Sequence, residues 1–157
     1  MAVLVSSARR REIKQMIAAA IAWAHAEPTV RALALVGSWS RGTAGPDSDL
    51  DLIVLSRAPA DLLDRTDWHA RFGRVELVRA VDFGAITERR LRRPSGLEIE
   101  VGIGHLDWAS VAPLEPGTRQ VIQGGGLRIL YDPDQWLARL AAGLAEGDRA
   151  QRAGPPD

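Results

Sequence analysis

The chain contains no cysteine. Disulfides, thiolate metal centres and a cysteine nucleophile are thereby excluded, and the composition suits a reducing cytoplasm. Lysine is almost as scarce: Lys14 stands alone, and every other basic residue is an arginine. A GC-rich genome accounts for that bias. It also means that phosphate contacts here are arginine forks rather than lysine point charges. Neither sign of charge is in excess, since 20 Lys+Arg offset 20 Asp+Glu. No global field then draws the chain onto nucleic acid or an anionic membrane, so neither is an expected partner. No apolar run reaches the roughly 20 residues of a membrane span. Arg9-Arg10-Arg11 ahead of Met16 to Ala26, with Ala24-His25-Ala26 as a cleavage-like end, has the outline of a signal peptide. The periodicity argues otherwise. Ile13, Met16, Ile17, Ala20, Ile21 and Ala24 recur at i, i+3 and i+4, the pattern of an amphipathic helix, with Glu12, Lys14 and Gln15 opposite.

What is present fits one globular domain. A chain of 157 residues with 46% hydrophobic and 25% charged residues can bury a core without staples. Residues 1–146 read as that domain, and the polar stretch 147–157, which includes Gly154-Pro155-Pro156, reads as a disordered tail. Ser6 or Ser7 caps the first helix and Pro28 ends it. Strands are expected at Val30 to Val36, Leu50 to Leu55 and Arg74 to Ala80. A helix is expected from Pro59 to His69, with Leu62, Leu63 and Trp68 inward. Ile86 to Arg93 and Leu97 to Ile103 flank the turn signal Pro94-Ser95-Gly96 and form a hairpin. A short helix at Trp108 to Val111, a helical turn around Arg119 to Gln123, a strand at Leu127 to Tyr131 and a helix at Gln135 to Ala145 complete the pattern. The expected fold is α/β, a mixed twisted sheet with helices mainly on one face.

The chemistry concentrates in Gly37-Ser38-Trp39-Ser40-Arg41-Gly42-Thr43-Ala44-Gly45-Pro46-Asp47-Ser48-Asp49-Leu50-Asp51-Leu52. Alternate residues of a strand share a face, so Asp49 and Asp51 project together while Leu50 and Leu52 pack the other way. Two such carboxylates repel, and one resists ionisation unless a divalent cation intervenes. Mg²⁺, which takes a few carboxylates plus water and phosphate oxygens, suits the pair. Gly37 directly follows a strand, where a side chain would block close backbone approach. Ser38 offers a hydroxyl and an N–H to a phosphate, and a helical turn from Trp39 to Gly42 would add further N–H groups. Arg41 either pairs with Asp47 or touches phosphate; Ser48 is a cap or a ligand.

Glu98 and Glu100 alternate with Leu97, Ile99 and Val101 and so share one face. A three-residue loop would set Arg92 opposite Glu98 and Arg90 opposite Glu100. Those pairs are plain salt bridges, or they place an arginine beside a triphosphate. His25, His69 and His105 lack ligand spacing and read as structural. Gly124-Gly125-Gly126 reads as a loop. Five tryptophans are scattered and read mostly as core; Trp39 stands where it can line a nucleotide pocket.

Gly-Ser, ten residues, then Asp-Leu-Asp between apolar flanks resembles the signature of the DNA polymerase β-like nucleotidyltransferase superfamily. That group includes aminoglycoside nucleotidyltransferases, tRNA-CCA-adding enzymes, poly(A) polymerases and minimal nucleotidyltransferases. The resemblance implies triphosphate binding at Gly37 and Ser38 and two Mg²⁺ (or Mn²⁺) ions at Asp49 and Asp51. It also implies a third carboxylate on a later strand, matched to Glu100 over Glu98. Its expected activity moves a nucleoside monophosphate, with AMP from ATP as the expected transfer, onto a hydroxyl of a small molecule or protein acceptor. The large helical acceptor domain of the drug-modifying members has no counterpart after Tyr131, which leaves the acceptor open. The alternative is a catalytically weak nucleotide-binding regulatory or antitoxin-like module; three filled acidic positions favour the enzyme.

Overall fold

The computed structural model describes residues 4–110 and 126–153. Helix α1 (Ser7–Ala26) is capped by Ser6, whose side chain accepts from the Arg9 N–H at 3.1 Å. Strand β1 (Val30–Val36) follows, then a single helical turn, α2 (Ser38–Arg41), and strand β2 (Leu50–Ser56). Helix α3 (Pro59–Leu63) and a 3-10 turn (Asp67–Phe72) lead to the three strands β3 (Glu76–Asp82), β4 (Ile86–Arg92) and β5 (Glu98–His105). A second 3-10 turn (Leu106–Ala109), strand β6 (Leu127–Tyr131) and helix α4 (Trp136–Ala153) complete the described elements. The expected turn around Arg119 to Gln123 lies outside the described residues.

The six strands form one mixed sheet in the order β3-β4-β5-β2-β1-β6. Strands β2 and β5 run parallel, and every other described pair is antiparallel. Alternation along the strands splits the core in two. On one face Leu33, Leu35, Leu50, Leu52, Val54, Ile99, Val101 and Ile103 pack with α1 and the first 3-10 turn. Trp23 of α1 stacks on Trp68 with ring centroids 4.8 Å apart, and Phe72 meets Trp23 edge-on. On the other face Ala32, Ala34, Val36, Ile53 and Leu55 pack with Leu106 and Trp108 and with Leu137, Leu140 and Leu144 of α4. The small alanines of β1 let that helix approach closely. Thus α1 covers one face and α4 the other.

Two segments differ from the sequence pattern for physical reasons. The single helix expected over Pro59 to His69 is broken after Leu63. Its carbonyls are claimed by other donors: Trp68 Nε1 donates to the Leu62 carbonyl at 2.9 Å, and the buried Arg89 of β4 donates to those of Leu63 and Arg65. Arg89 also donates to His69 Nε2 at 3.1 Å and lies over the Trp68 ring. Burial, then the Arg89 charge, depress the His69 pKa, so the imidazole accepts as the neutral form. Helix α4 runs on to Ala153, through most of the segment read as a polar tail. Asp132 caps its start, accepting from the N–H groups of Leu137 and Ala138. Asp134 ties the same corner to β1 through a fork from Arg31 at 2.7 and 2.8 Å.

His25 meets the Tyr131 ring edge-on, and His105 Nδ1 accepts from the Asp107 N–H. Among the described residues no helix is long and apolar enough to cross a membrane.

Candidate active site

Asp49 immediately precedes β2, and Asp51 is its second residue. Leu50 and Leu52 go into the α1-side core, so the carboxylates of Asp49 and Asp51 stand on the opposite face, ahead of Ile53 and Leu55 under α4. In the parallel ladder Asp51 is the register partner of Glu100. Two residues of β5 alternate the same way, because Ile99 and Val101 are core residues on the α1 side and Glu98 and Glu100 are not. The expected hairpin register holds: Arg90 opposes Glu100 and Arg92 opposes Glu98. Asp49, Asp51, Glu98, Glu100, Arg90 and Arg92 thus meet on one stretch of the sheet, at the β2·β5 junction.

Asp51 is the strained member. Burial first, and then the neighbouring charge of Asp49, raise its pKa from 3.8 to about 6, against the lowering effects of Arg90 and Arg41. Glu88, on the same face of β4, pushes the same way. Sequence reading passed Glu88 over, although its two-residue spacing from Arg90 was the available signal. Its Oε1 is buried without a hydrogen bond, and Arg79 approaches it at 3.6 Å.

Gly37 makes room for Asp51. It bridges β1 and α2 at φ 74° and ψ −160°, a region that residues with side chains avoid. A Cβ there would lie 2.2 Å from Asp51 Oδ2. Ser38 begins α2, whose turn closes on Gly42 in the left-handed conformation. Arg41 is the last residue of that turn and exposed; its charge is felt at Asp51. Ser48 staples the loop, its hydroxyl accepting from the Gly45 N–H at 2.9 Å. Trp39 is partly buried and packs against the α1-side core.

The guanidinium of Arg90 stands among the acids. It donates to Asp49 Oδ2 at 2.8 Å and to Glu98 Oε1 at 2.9 Å, and pairs with Glu100 Oε1. Arg92 takes the other oxygen of Glu98 at 3.1 Å. The hydrogen bond from Arg90 is the main reason the Glu98 carboxyl sits below its usual range. With the side chains so engaged, no three acidic or imidazole groups among the described residues close around a common point. The donor set itself is oxygen-only and hard, the chemistry Mg²⁺ and Mn²⁺ prefer. Asp51, raised first by burial and then by Asp49, is the kind of carboxylate that a divalent cation would relieve, and Asp49 and Glu100 are its companions on that face.

A family model described as a nucleotidyltransferase domain matches residues 19–101, more than half of the chain. The match contains the Gly37-Ser38 turn, the Asp49 and Asp51 pair and Glu100. The chain belongs to that nucleotidyltransferase family. Among solved structures, one similar to it is a cytoplasmic RNA terminal U-transferase, at 18% identity and a TM-score of 0.42. It covers 64% of this chain and 31% of that one. The Cid1 poly(U) polymerase is similar at 19% identity and a TM-score of 0.43, over 64% of this chain and 32% of the other. Cid1 has also been solved with the UTP analogue UMPNPP, at 20% identity and a TM-score of 0.42 over the same shares. A further Cid1 structure holds its short product ApU. The chain therefore spans about a third of the length of these structures. No curated protein matches significantly.

Proposed function

We propose that the chain is a Mg²⁺-dependent nucleotidyltransferase that moves a nucleoside monophosphate from a nucleoside triphosphate, ATP among the candidates, to a hydroxyl of an acceptor. The observation that supports it best is the pairing of Asp51 with Glu100 across the β2·β5 junction, with Asp49 two residues earlier on the same face and Gly37 against Asp51. In this reading Asp49, Asp51 and Glu100 hold the divalent cations. Bound there, such ions lower the pKa of an attacking hydroxyl and neutralise a leaving pyrophosphate. The chain's own residues do the positioning. The bare Gly37 peptide admits the triphosphate to the carboxylate edge. Ser38 offers its hydroxyl and its N–H, while the N–H groups of Ser40 and Arg41 are taken by the Gly37 carbonyl. Arg41 adds positive charge beside Asp51, where phosphate charge accumulates. Glu100 lies nearest Asp51 on the later strand and orients the acceptor hydroxyl for in-line attack at the α-phosphorus. Positioning and charge neutralisation supply most of the rate in phosphoryl transfer, so no nucleophilic side chain is required.

The four common nucleoside triphosphates, each with Mg²⁺ or Mn²⁺, are screened against small-molecule, protein and oligonucleotide acceptors for pyrophosphate release. Acceptor-dependent release that vanishes in Asp51→Asn supports the reading. Metal-dependent triphosphate binding without release from any acceptor supports the regulatory module instead. Failure of any triphosphate to bind with metal overturns both.

A further inference from the structure

We propose that Arg90 is a built-in counter-ion of the proposed metal site, a positioning residue that holds Asp49 and Glu100 in the metal-free protein and is displaced from both when a divalent cation binds. This rests on the metal reading above and adds a competition to it. Arg90 lies on β4, one strand in from the sheet edge, and its fork reaches across β5 to Asp49 at the start of β2. It engages three carboxylates at once, those of Asp49, Glu98 and Glu100. These groups are sheltered: the side chains of Arg90, Glu98 and Glu100 are 21%, 19% and 23% exposed. A fixed cross-strand brace would need only Glu100, its register partner, or the diagonal Glu98. The reach to Asp49 is what places a cation between the two carboxylates a metal must share.

The charges are consistent with exchange. Asp49, Asp51, Glu98 and Glu100 face Arg90 and Arg92, which leaves two negative charges in excess at neutral pH. Arg90 therefore compensates the cluster only in part, and a divalent ion is attracted to the remainder. Glu98 is the tether that makes displacement reversible. It is held from its other oxygen by Arg92 and keeps Arg90 nearby after Asp49 and Glu100 turn to the metal. A guanidinium released from two carboxylates in this position then faces whatever anion arrives with the metal, and a triphosphate is such an anion.

The test is equilibrium binding of Mn²⁺ alone, with no nucleotide or acceptor, to the full chain by calorimetry and by electron paramagnetic resonance. Arg90→Gln removes the competing charge, and the expected result is Mn²⁺ binding about tenfold tighter than wild type, from relief of a short-range cation–cation conflict. Arg90→Lys, which keeps the charge without the fork, should return the affinity most of the way to wild type. In the wild-type protein the Arg90 Nε resonance, assigned through these variants, should move on saturation with Mg²⁺. Affinity in Arg90→Gln that is equal to or weaker than wild type, together with an Arg90 resonance indifferent to Mg²⁺, overturns the displacement and leaves the metal site standing. Absence of Mn²⁺ binding in both wild type and Arg90→Gln overturns the metal reading itself, and this inference with it. Assignment of the resonance needs only Arg90→Lys, so the measurement decides the matter even if Arg90→Gln does not fold.

Discussion

Replacing Gly37 by alanine should uncouple the site from the fold more sharply than any change of a charged residue. Two costs coincide there. The backbone at φ 74° and ψ −160° lies where only glycine rests without strain, and an alanine in such a region costs about 1–3 kcal/mol. The new methyl would also stand 2.2 Å from Asp51 Oδ2, a distance that no real contact tolerates, so the carboxylate must retreat by the better part of an ångström. Asp51 is anchored by its pairing with both Val36 and Glu100, so the retreat must come from its side chain or from the loop. For a domain of this size the strain corresponds to a melting temperature lower by about 3–10 °C. Gly42→Ala is the internal control. Gly42 has the same φ of 74° but open space where its Cβ would be, so it incurs only the left-handed penalty of about 1–2 kcal/mol. Differential scanning calorimetry gives the stabilities, and the stabilisation of each variant by Mn²⁺ plus triphosphate reports the site. Gly42→Ala should keep that ligand-induced shift; Gly37→Ala should lose it. If Gly37→Ala melts with Gly42→Ala and retains the full ligand shift, then Gly37 does not shape the Asp51 position, and the account of the turn is wrong.

Asp51→Asn should stabilise the metal-free protein at pH 7 by on the order of 1–2 kcal/mol, a figure already discounted for partial exposure. Because the folded pKa, about 6, lies above the value of 3.8 for the free group, ionised Asp51 opposes folding once the pH passes that window. The advantage of the variant should therefore fade as the pH falls from 6 towards 3.8; a gain that persists unchanged at pH 4 contradicts the electrostatic origin. Arg89→Met should cost about 2–4 kcal/mol, since it strands the carbonyls of Leu63 and Arg65; chemical denaturation measures this, and a loss below 1 kcal/mol on that scale means those carbonyls find other donors. Once an acceptor is found, Glu100→Gln should lower nucleotidyl transfer by at least about a hundredfold while sparing triphosphate binding, and Glu98→Gln should retain most activity. The reverse ranking, read from initial rates, would assign the third carboxylate to Glu98.

How much of this was legible beforehand follows from the range of each interaction. The shared face of Asp49 and Asp51 follows from strand alternation alone, and the pairing of Arg90 with Glu100 follows from a three-residue turn between two strands. Both are local. The reach of Arg90 to Asp49 is not, because it requires β5 to lie between β4 and β2, with β2 and β5 parallel. Nothing in either segment encodes that order. The break of the helix expected at Pro59 to His69 has the same cause: Arg89, more than twenty residues later, takes the carbonyls that would have continued it.

The parallel contact between β2 and β5 also bears on how the protein forms and opens. Asp51 and Glu100 are neighbours in the sheet but are separated in sequence by α3, the first 3-10 turn and the β3–β4 hairpin. Closing that long loop is entropically costly, so this seam should be among the last contacts made in folding, after the local hairpins. Any opening confined to the seam parts the acidic groups while leaving each hairpin intact. In native-state hydrogen exchange the amides of Leu52 and Val101 should then report a single cooperative event, and ions that bridge the two strands should slow it. The carboxylates would serve as a clasp whose fastening is coupled to the closure of the sheet.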